Sequence, residues 1–114
     1  MTKKLISIVS PCFNEEDNVE ACYEAVRQLF DDGPLSHYRH EHVFADNSSS
    51  DGTVEILREI CARDPRVRVV VNARNYGPFR SSMNALRRTS GDAVIPMFPV
   101  DLQDPPELIP DFVK

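Results

Sequence analysis

Cysteine is scarce in this 114-residue chain: Cys12, Cys22 and Cys61 are the full set. Three is an odd number, and no two form a CxxC pair, so neither a disulfide framework nor a cysteine zinc site is expected. A reducing compartment is the simplest expectation. Long apolar runs are also lacking. Lys3 and Lys4 precede one, but it stops at Pro11 after about six residues, too short for a secretory core. No stretch approaches the ~20 apolar residues of a membrane span. These residues are therefore expected to be soluble and cytoplasmic, with any membrane contact of the parent protein made beyond Lys114. There is no excess of positive charge. Asp and Glu number 18 against 13 Lys and Arg, a net charge of −5. That argues against nucleic acid as a partner through a uniformly basic surface. It leaves room for a local basic patch where Arg74, Arg80, Arg87 and Arg88 fall close together. Finally, no GxGxxG follows the first apolar run, and no GxxxxGK[ST] occurs anywhere. The glycine phosphate loops of dinucleotide-binding and P-loop folds are thus absent.

Hydrophobic residues make up 41% and charged residues 27%, an ordinary balance for one modest soluble domain. "LISIVS", residues 5–10, is short, β-branched and apolar on both sides, as a buried parallel strand should be. Pro11 is expected to stop it. From about residue 17 to 30, Val19, Cys22, Tyr23, Val26, Leu29 and Phe30 recur at three- and four-residue steps, which predicts a helix with one apolar stripe. "HVFA" reads as a second strand. "DNSSSDG" is a turn-rich loop, and Thr53 or Asp51 is expected to cap a second helix with Val54, Leu57, Ile60 and Cys61 inward. "RVRVVV" is a third strand. A third helix over residues 79–88 would turn Phe79, Met83 and Leu86 inward. "AVIPMF" is a fourth strand, with Pro96 near its end or at a bulge. His37, His40 and His42 lack a neighbouring cysteine to complete a metal set, and a solvated edge is expected for them.

Strand and helix alternate, so the economical architecture is α/β: an open, mainly parallel sheet with helices on both faces. Ligands of such sheets bind at the C-terminal strand ends. Every unusual polar cluster falls at one of those ends: "CFNEE", "DNSSSDG", "NARNYG" and "VDLQD". One shared site is the expectation. The acidic "VDLQDPP" leaves two readings open. Its carboxylates can hold a divalent cation against a diphosphate, or they can cap the helix that starts near Pro105. Asp46 is open in the same way, because an aspartate before three serines can close a turn on its own backbone.

Four segments, "SIVSPCFNEEDNV", "VFADNSSSDGT", "NARNYGPFRSSMNAL" and "TSGDAVIPMFPVDLQDPPELI", resemble the N-terminal half of a family 2 glycosyltransferase of the GT-A fold. The likeness is greatest to the polyprenyl-phosphate sugar transferases, the dolichyl-phosphate mannosyltransferase-like group. The segments occur in the family's order and cover most of the chain. The resemblance implies an inverting enzyme that moves a sugar from a UDP- or GDP-linked donor to a polyprenyl phosphate or other acceptor, with Mg²⁺ or Mn²⁺ as cofactor. It implies that Pro11, Phe13, Asn14 and Glu15 line the nucleotide pocket and that Asp46 meets the base. Asn47 stands where many relatives have a second aspartate. Asp101 matches the last aspartate of the family's DxD metal motif, and Gln103 a glutamine that shares the cation. Arg74 and Arg80 follow the third strand, on the side where the diphosphate would lie, and an arginine fork suits phosphate.

The chain departs from the pattern at Pro99, where many relatives carry the first acid of that motif. The cation would then rest on Asp101, Gln103, the diphosphate and water, which Mg²⁺ tolerates. The family's general base lies beyond the position of Lys114. Residues 1–114 are therefore expected to be the nucleotide-binding half of a truncated GT-A domain, inactive alone and prone to self-association through uncovered edges. The alternative is a non-catalytic GT-A-like nucleotide-binding or scaffolding domain.

Overall fold

The computed structural model describes residues 4–75, 77, 80, 85, 89, 91–95 and 100. In chain order the elements are β1 (Leu5–Cys12), α1 (Val19–Asp31), β2 (Arg39–Asp46), α2 (Thr53–Arg63), β3 (Val67–Val71) and β4 (Ala93–Ile95). Among the described residues the strands form one four-stranded sheet, every pair parallel, in the order β3-β2-β1-β4. The expected open parallel α/β sheet is what forms. Phe79, Met83, Leu86 and Pro96 lie outside the described residues.

β1 and β2 are the two central strands, and most of their apolar residues are buried, on both faces. One face carries Ile6, Ile8 and Cys12 of β1 with Phe44 of β2, and α1 and α2 cover it with Val19, Cys22, Val26, Phe30, Leu57 and Ile60. Leu57 and Ile60 have no exposed surface. Side chains of that size each contribute roughly 1.5–3 kcal/mol by leaving water. The opposite face carries Val9, Val43 and Ala45, with Ala85 from the helical residues after β3 packed on them. The crossover thus changes face between β3 and β4. The point where the strand order reverses lies between β1 and β4, and a crevice is expected at their C-terminal ends.

Pro11 does not stop β1. The strand runs to Cys12, with Pro11 opposite Ala45. The reason lies in the direction of the amides. Lys4 and Cys12 accept hydrogen bonds from the β2 side, whereas Leu5 accepts from Asp92 on the β4 side. Alternation places the Pro11 nitrogen away from β2, so the β1–β2 ladder loses no donor.

His37 is exposed as expected, but His40 and His42 depart from expectation. β2 begins at Arg39, so His40 and His42 point to one face, and both are buried. His40 stacks on Phe30 at 4.3 Å between ring centroids, and His42 stacks on Phe44 at 4.0 Å. His42 Nε2 lies 2.8 Å from Ser10 Oγ, while neither ring's Nδ1 has a hydrogen-bond partner. At the end of the sheet remote from the strand C-termini, Tyr23 donates to Asp64 at 2.8 Å, and Arg66 bridges Asp64 and Asp31. Burial works against the Asp64 charge, but hydrogen bonds from Arg66 and Tyr23 outweigh it and hold the carboxyl well below its usual range.

The buried rings make stability depend on pH. Burial, with the Arg66 charge behind it, pulls His40 down to about 4, and burial pulls His42 down to about 3. In the unfolded chain both titrate near ~6.5. Between those values the unfolded chain binds protons that the folded chain refuses, so stability is full above ~6.5 and falls as the pH drops toward 4. Urea unfolding midpoints from pH 7.5 to 4.5 are expected to show this fall. His40→Phe, which keeps a ring on Phe30, is expected to flatten it in part. A midpoint unchanged over that range would contradict the assignment.

Candidate active site

Parallel pairing over eight residues brings the C-terminal ends of β1 and β2 together, with Cys12 opposite Asp46. The loops that leave them must satisfy their own amides, and they do so on each other. Asn47 N–H donates to Cys12 O at 2.9 Å. Asn14 N–H donates to Ser49 Oγ at 2.9 Å, and Ser50 N–H returns to Asn14 Oδ1 at 2.8 Å. Glu15 N–H donates to Thr53 Oγ1 at 2.9 Å. Glu16 N–H reaches Asp51 Oδ2 at 3.3 Å, and Gly52 N–H donates to Glu16 Oε2 at 2.8 Å. Asn14 and Ser48 hold this shape in the left-handed region, with φ of 51° and 65°. Asparagine tolerates that conformation because its short amide bonds locally.

The helix starts follow from the same contacts. Gly52 is the N-cap of α2, and its predecessor Asp51 does the capping chemistry, accepting Thr53 N–H at 3.0 Å and the Thr53 hydroxyl. At α1, Glu15 O accepts the N–H of Asn18 and Val19, and Glu15 Oε2 accepts Asn18 Nδ2 at 2.7 Å. Asp31, Asp64 and Arg66 lie at the far end of the sheet and take no part.

Asp46 lies at the centre of this edge and has no exposed surface. Ser49 donates twice to it, from its hydroxyl to Oδ1 at 2.5 Å and from its N–H to Oδ2 at 3.0 Å. The turn-closing reading of Asp46 is therefore realised in the structure. Cys12 Sγ is 3.8 Å from the same Oδ1. Burial, and behind it the Asp46 charge, push the Cys12 thiol well above its usual range, so it stays protonated and is no nucleophile. Asn47 is buried and accepts Asn72 Nδ2 at 3.1 Å, while Asn72 N–H donates to Asp46 O at 2.8 Å. The end of β3 is thereby tied to the end of β2.

The expected nucleotide residues Pro11, Phe13, Asn14, Glu15, Asp46 and Asn47 all lie along this one edge. The Phe13 ring is 44% exposed. Arg74 is exposed in the segment that follows β3, and Arg80, at a helical position beyond it, is exposed too. Gly77 has φ 82°, with its N–H on Asn75 Oδ1 at 2.8 Å. Val100 is buried in the cluster that contains Cys12 and Val19. Asp101, Gln103 and Asp104 lie outside the described residues, as does Pro99. Among the described residues no group of three or more His, Cys, Asp and Glu is placed to share a metal ion, and no helix is long and apolar enough to cross a membrane. The residues that lace the edge together, Glu16, Ser49, Ser50, Thr53 and Asn72, were not singled out as site residues from the sequence. Their signal was the run of short polar side chains in both loops, which shows turn chemistry without showing its partner.

A family model described as "Glycosyl transferase family 2" matches residues 7–114. A bactoprenol glucosyl transferase of Shigella phage SfX is 40% identical over 109 residues, covering 96% of this chain and 34% of that protein. The chain thus spans about a third of the length of the curated relatives it matches. Among solved structures, mannosyltransferase PcManGT from Pyrobaculum calidifontis, in complex with GDP-Man and Mn²⁺, superposes with a TM-score of 0.73 at 22% identity, over 89% of this chain and 28% of that one. TarS 1-349 of S. aureus, in complex with UDP, superposes with a TM-score of 0.71 at 22% identity over the same shares. These two likenesses establish the fold, which is that of the GT-A glycosyltransferases.

The interlock gives Asn14 a measurable weight. Asn14→Ala removes the acceptor for Ser50 N–H and places an alanine in the left-handed region. It is expected to cost ~1–3 kcal/mol, the sum of one net hydrogen bond and part of the backbone penalty. Asn14→Gly restores the conformation but not the acceptor and is expected to cost less. Urea unfolding of both variants checks this. Wild-type stability in both would show that the loops are held by something else.

Proposed function

The chain belongs to glycosyl transferase family 2, and from that premise we propose that it forms the donor-binding part of an inverting transferase. The enzyme would move a sugar from a nucleoside-diphosphate sugar to a polyprenyl phosphate. The observation that carries the reading is the interlocked edge itself. Pro11, Phe13, Asn14, Glu15, Asp46 and Asn47 are held together at the C-terminal ends of β1 and β2, beside the reversal of strand order where such sheets take ligands. The donor class is supported by the GDP-Man and UDP of the two superposed structures. The lipid acceptor is supported by the bactoprenol in the name of the phage relative. A lipid carrier would bring the protein to the cytoplasmic face of a membrane.

Each residue then has a task its chemistry suits. The exposed Phe13 ring offers the base a flat apolar surface. Asp46 can accept the imide hydrogen of uracil or the N1 and N2 hydrogens of guanine. Glu15 would meet the ribose or the base, and Asn47 would support Asp46 from the adjoining position. Arg74 and Arg80 would contact the diphosphate, whose charge grows as the sugar leaves. Asp101 and Gln103 supply a carboxylate and a carbonyl oxygen, hard donors that fit Mg²⁺ or Mn²⁺. A cation held there would neutralise the diphosphate against an acidic edge. Residues 1–114 are assigned the donor half of the reaction, and acceptor activation is not assigned to them.

Calorimetric titration with UDP- and GDP-sugars, with and without Mg²⁺ or Mn²⁺, tests the assignment. Asp101→Asn keeps the shape and removes the charge, and it is expected to abolish metal-dependent donor binding. Asp104→Asn is expected to bind donor as wild type and to lose only stability, ~0.5–2 kcal/mol for a lost cap. Unchanged affinity and unchanged metal dependence in Asp101→Asn would remove the cation from this loop.

A further inference from the structure

Ser49 joins the two loops through a single oxygen. Its Oγ accepts the Asn14 N–H at 2.9 Å and donates to Asp46 Oδ1 at 2.5 Å, while its own N–H donates to Asp46 Oδ2 at 3.0 Å. A hydroxyl has one proton to give. With the Asn14 N–H on one of its lone pairs, that proton is directed at Asp46. The chain of donors therefore has a fixed sense, from the β1–α1 loop through Ser49 to the carboxylate. Because Ser49 grips both oxygens, it also fixes the rotation of the carboxylate plane.

Asp46 has no exposed surface, so a ligand reaches it only when a neighbouring group moves. Ser49 is held from two sides. It is anchored on Asn14 from one loop and on Asp46 from its own, and the next residue's N–H is anchored on Asn14 Oδ1. A carboxylate accepts up to about four hydrogen bonds; Ser49 takes one on each oxygen, and the Cys12 thiol also faces Oδ1 at 3.8 Å, so the open capacity lies mainly on Oδ2. The acceptor directions left over are set by the Ser49 grip.

We infer that Ser49 is a positioning residue for base recognition. It holds Asp46 so that the remaining acceptor directions match the edge donors of one nucleobase, and the Asn14 backbone holds Ser49. The inference rests on the nucleotide-sugar reading above and deepens it by naming the residue through which the β1–α1 loop sets base discrimination. It predicts a loss of selectivity when the hydroxyl goes, which a role in folding alone would not produce.

The test titrates UDP-glucose and GDP-mannose, with Mn²⁺, into wild type, Ser49→Ala and Ser49→Thr, with thermal melting as the check on folding. Wild type is expected to prefer one nucleotide. Ser49→Ala should lose about tenfold or more for the preferred one, because a hydrogen bond to a charged group is lost, and the ratio of the two affinities should move toward one. Ser49→Thr keeps the hydroxyl and should restore both. If alanine fails to fold, Ser49→Cys, a weak donor of similar size, should show a partial loss of the ratio. Wild-type affinities and ratio in the alanine or cysteine variant would overturn the positioning role and leave the nucleotide reading standing. A wild type that binds both nucleotides alike would overturn it too, since there would be no base reading to position. A wild type that binds neither would overturn the nucleotide reading itself, and the inference with it.

Discussion

Two central parallel strands that end side by side impose the constraint from which the rest follows. β1 and β2 run in register to Cys12 and Asp46, and their buried ladder cannot fray without exposing the core on both faces. The amides just past those ends still need partners. The two loops supply them reciprocally: Asn14 with Ser49 and Ser50, Glu15 with Thr53, and Glu16 with Asp51 and Gly52. One rigid edge results, and the helix starts of α1 and α2 are built into it.

That edge divides its polar groups by task. Asp51, Glu16 and Thr53 are consumed in holding the loops. Asp46 is gripped by Ser49 yet keeps acceptor capacity, and Phe13 is left outward. The opposite end of the sheet shows a contrast. There Tyr23, Asp64, Arg66 and Asp31 are paired with one another, which ties α1 to the segment between α2 and β3. A pre-organised edge would suit the nucleoside diphosphate proposed as its ligand, because groups already ordered lose little freedom when a ligand arrives.

Much of this was legible in the sequence. The period-of-two and apolar runs placed all four strands, and the stripe Val19, Cys22, Tyr23, Val26 and Phe30 placed α1 and its buried face. What was not legible depended on register. Whether Pro11 breaks a strand turns on which neighbour its missing N–H would have served, and only the pairing decides that. His40 and His42 went from a presumed solvated edge to the core because β2 begins at Arg39, three residues before the expected start. The loop interlock joins residues 35 to 38 apart, so local pattern showed polar turns but not their partners. For Asp46 the sequence supported two readings; the structure displays the turn-closing one, and base contact is the proposal built on it. Asp101 and Gln103 rest on the resemblance and on donor chemistry.

The edge formed by the β1–α1 and β2–α2 loops is proposed to receive the nucleotide of a sugar donor. Mapping backbone amide shifts by NMR during titration with UDP-glucose or GDP-mannose, in the presence of Mg²⁺, tests it most directly. The largest changes are expected on residues 12–15, 46–53 and 72–75 and on Asp101 and Gln103, with the corner around Tyr23, Asp64 and Arg66 unmoved. Changes centred on that corner, or none at saturating donor, would contradict it.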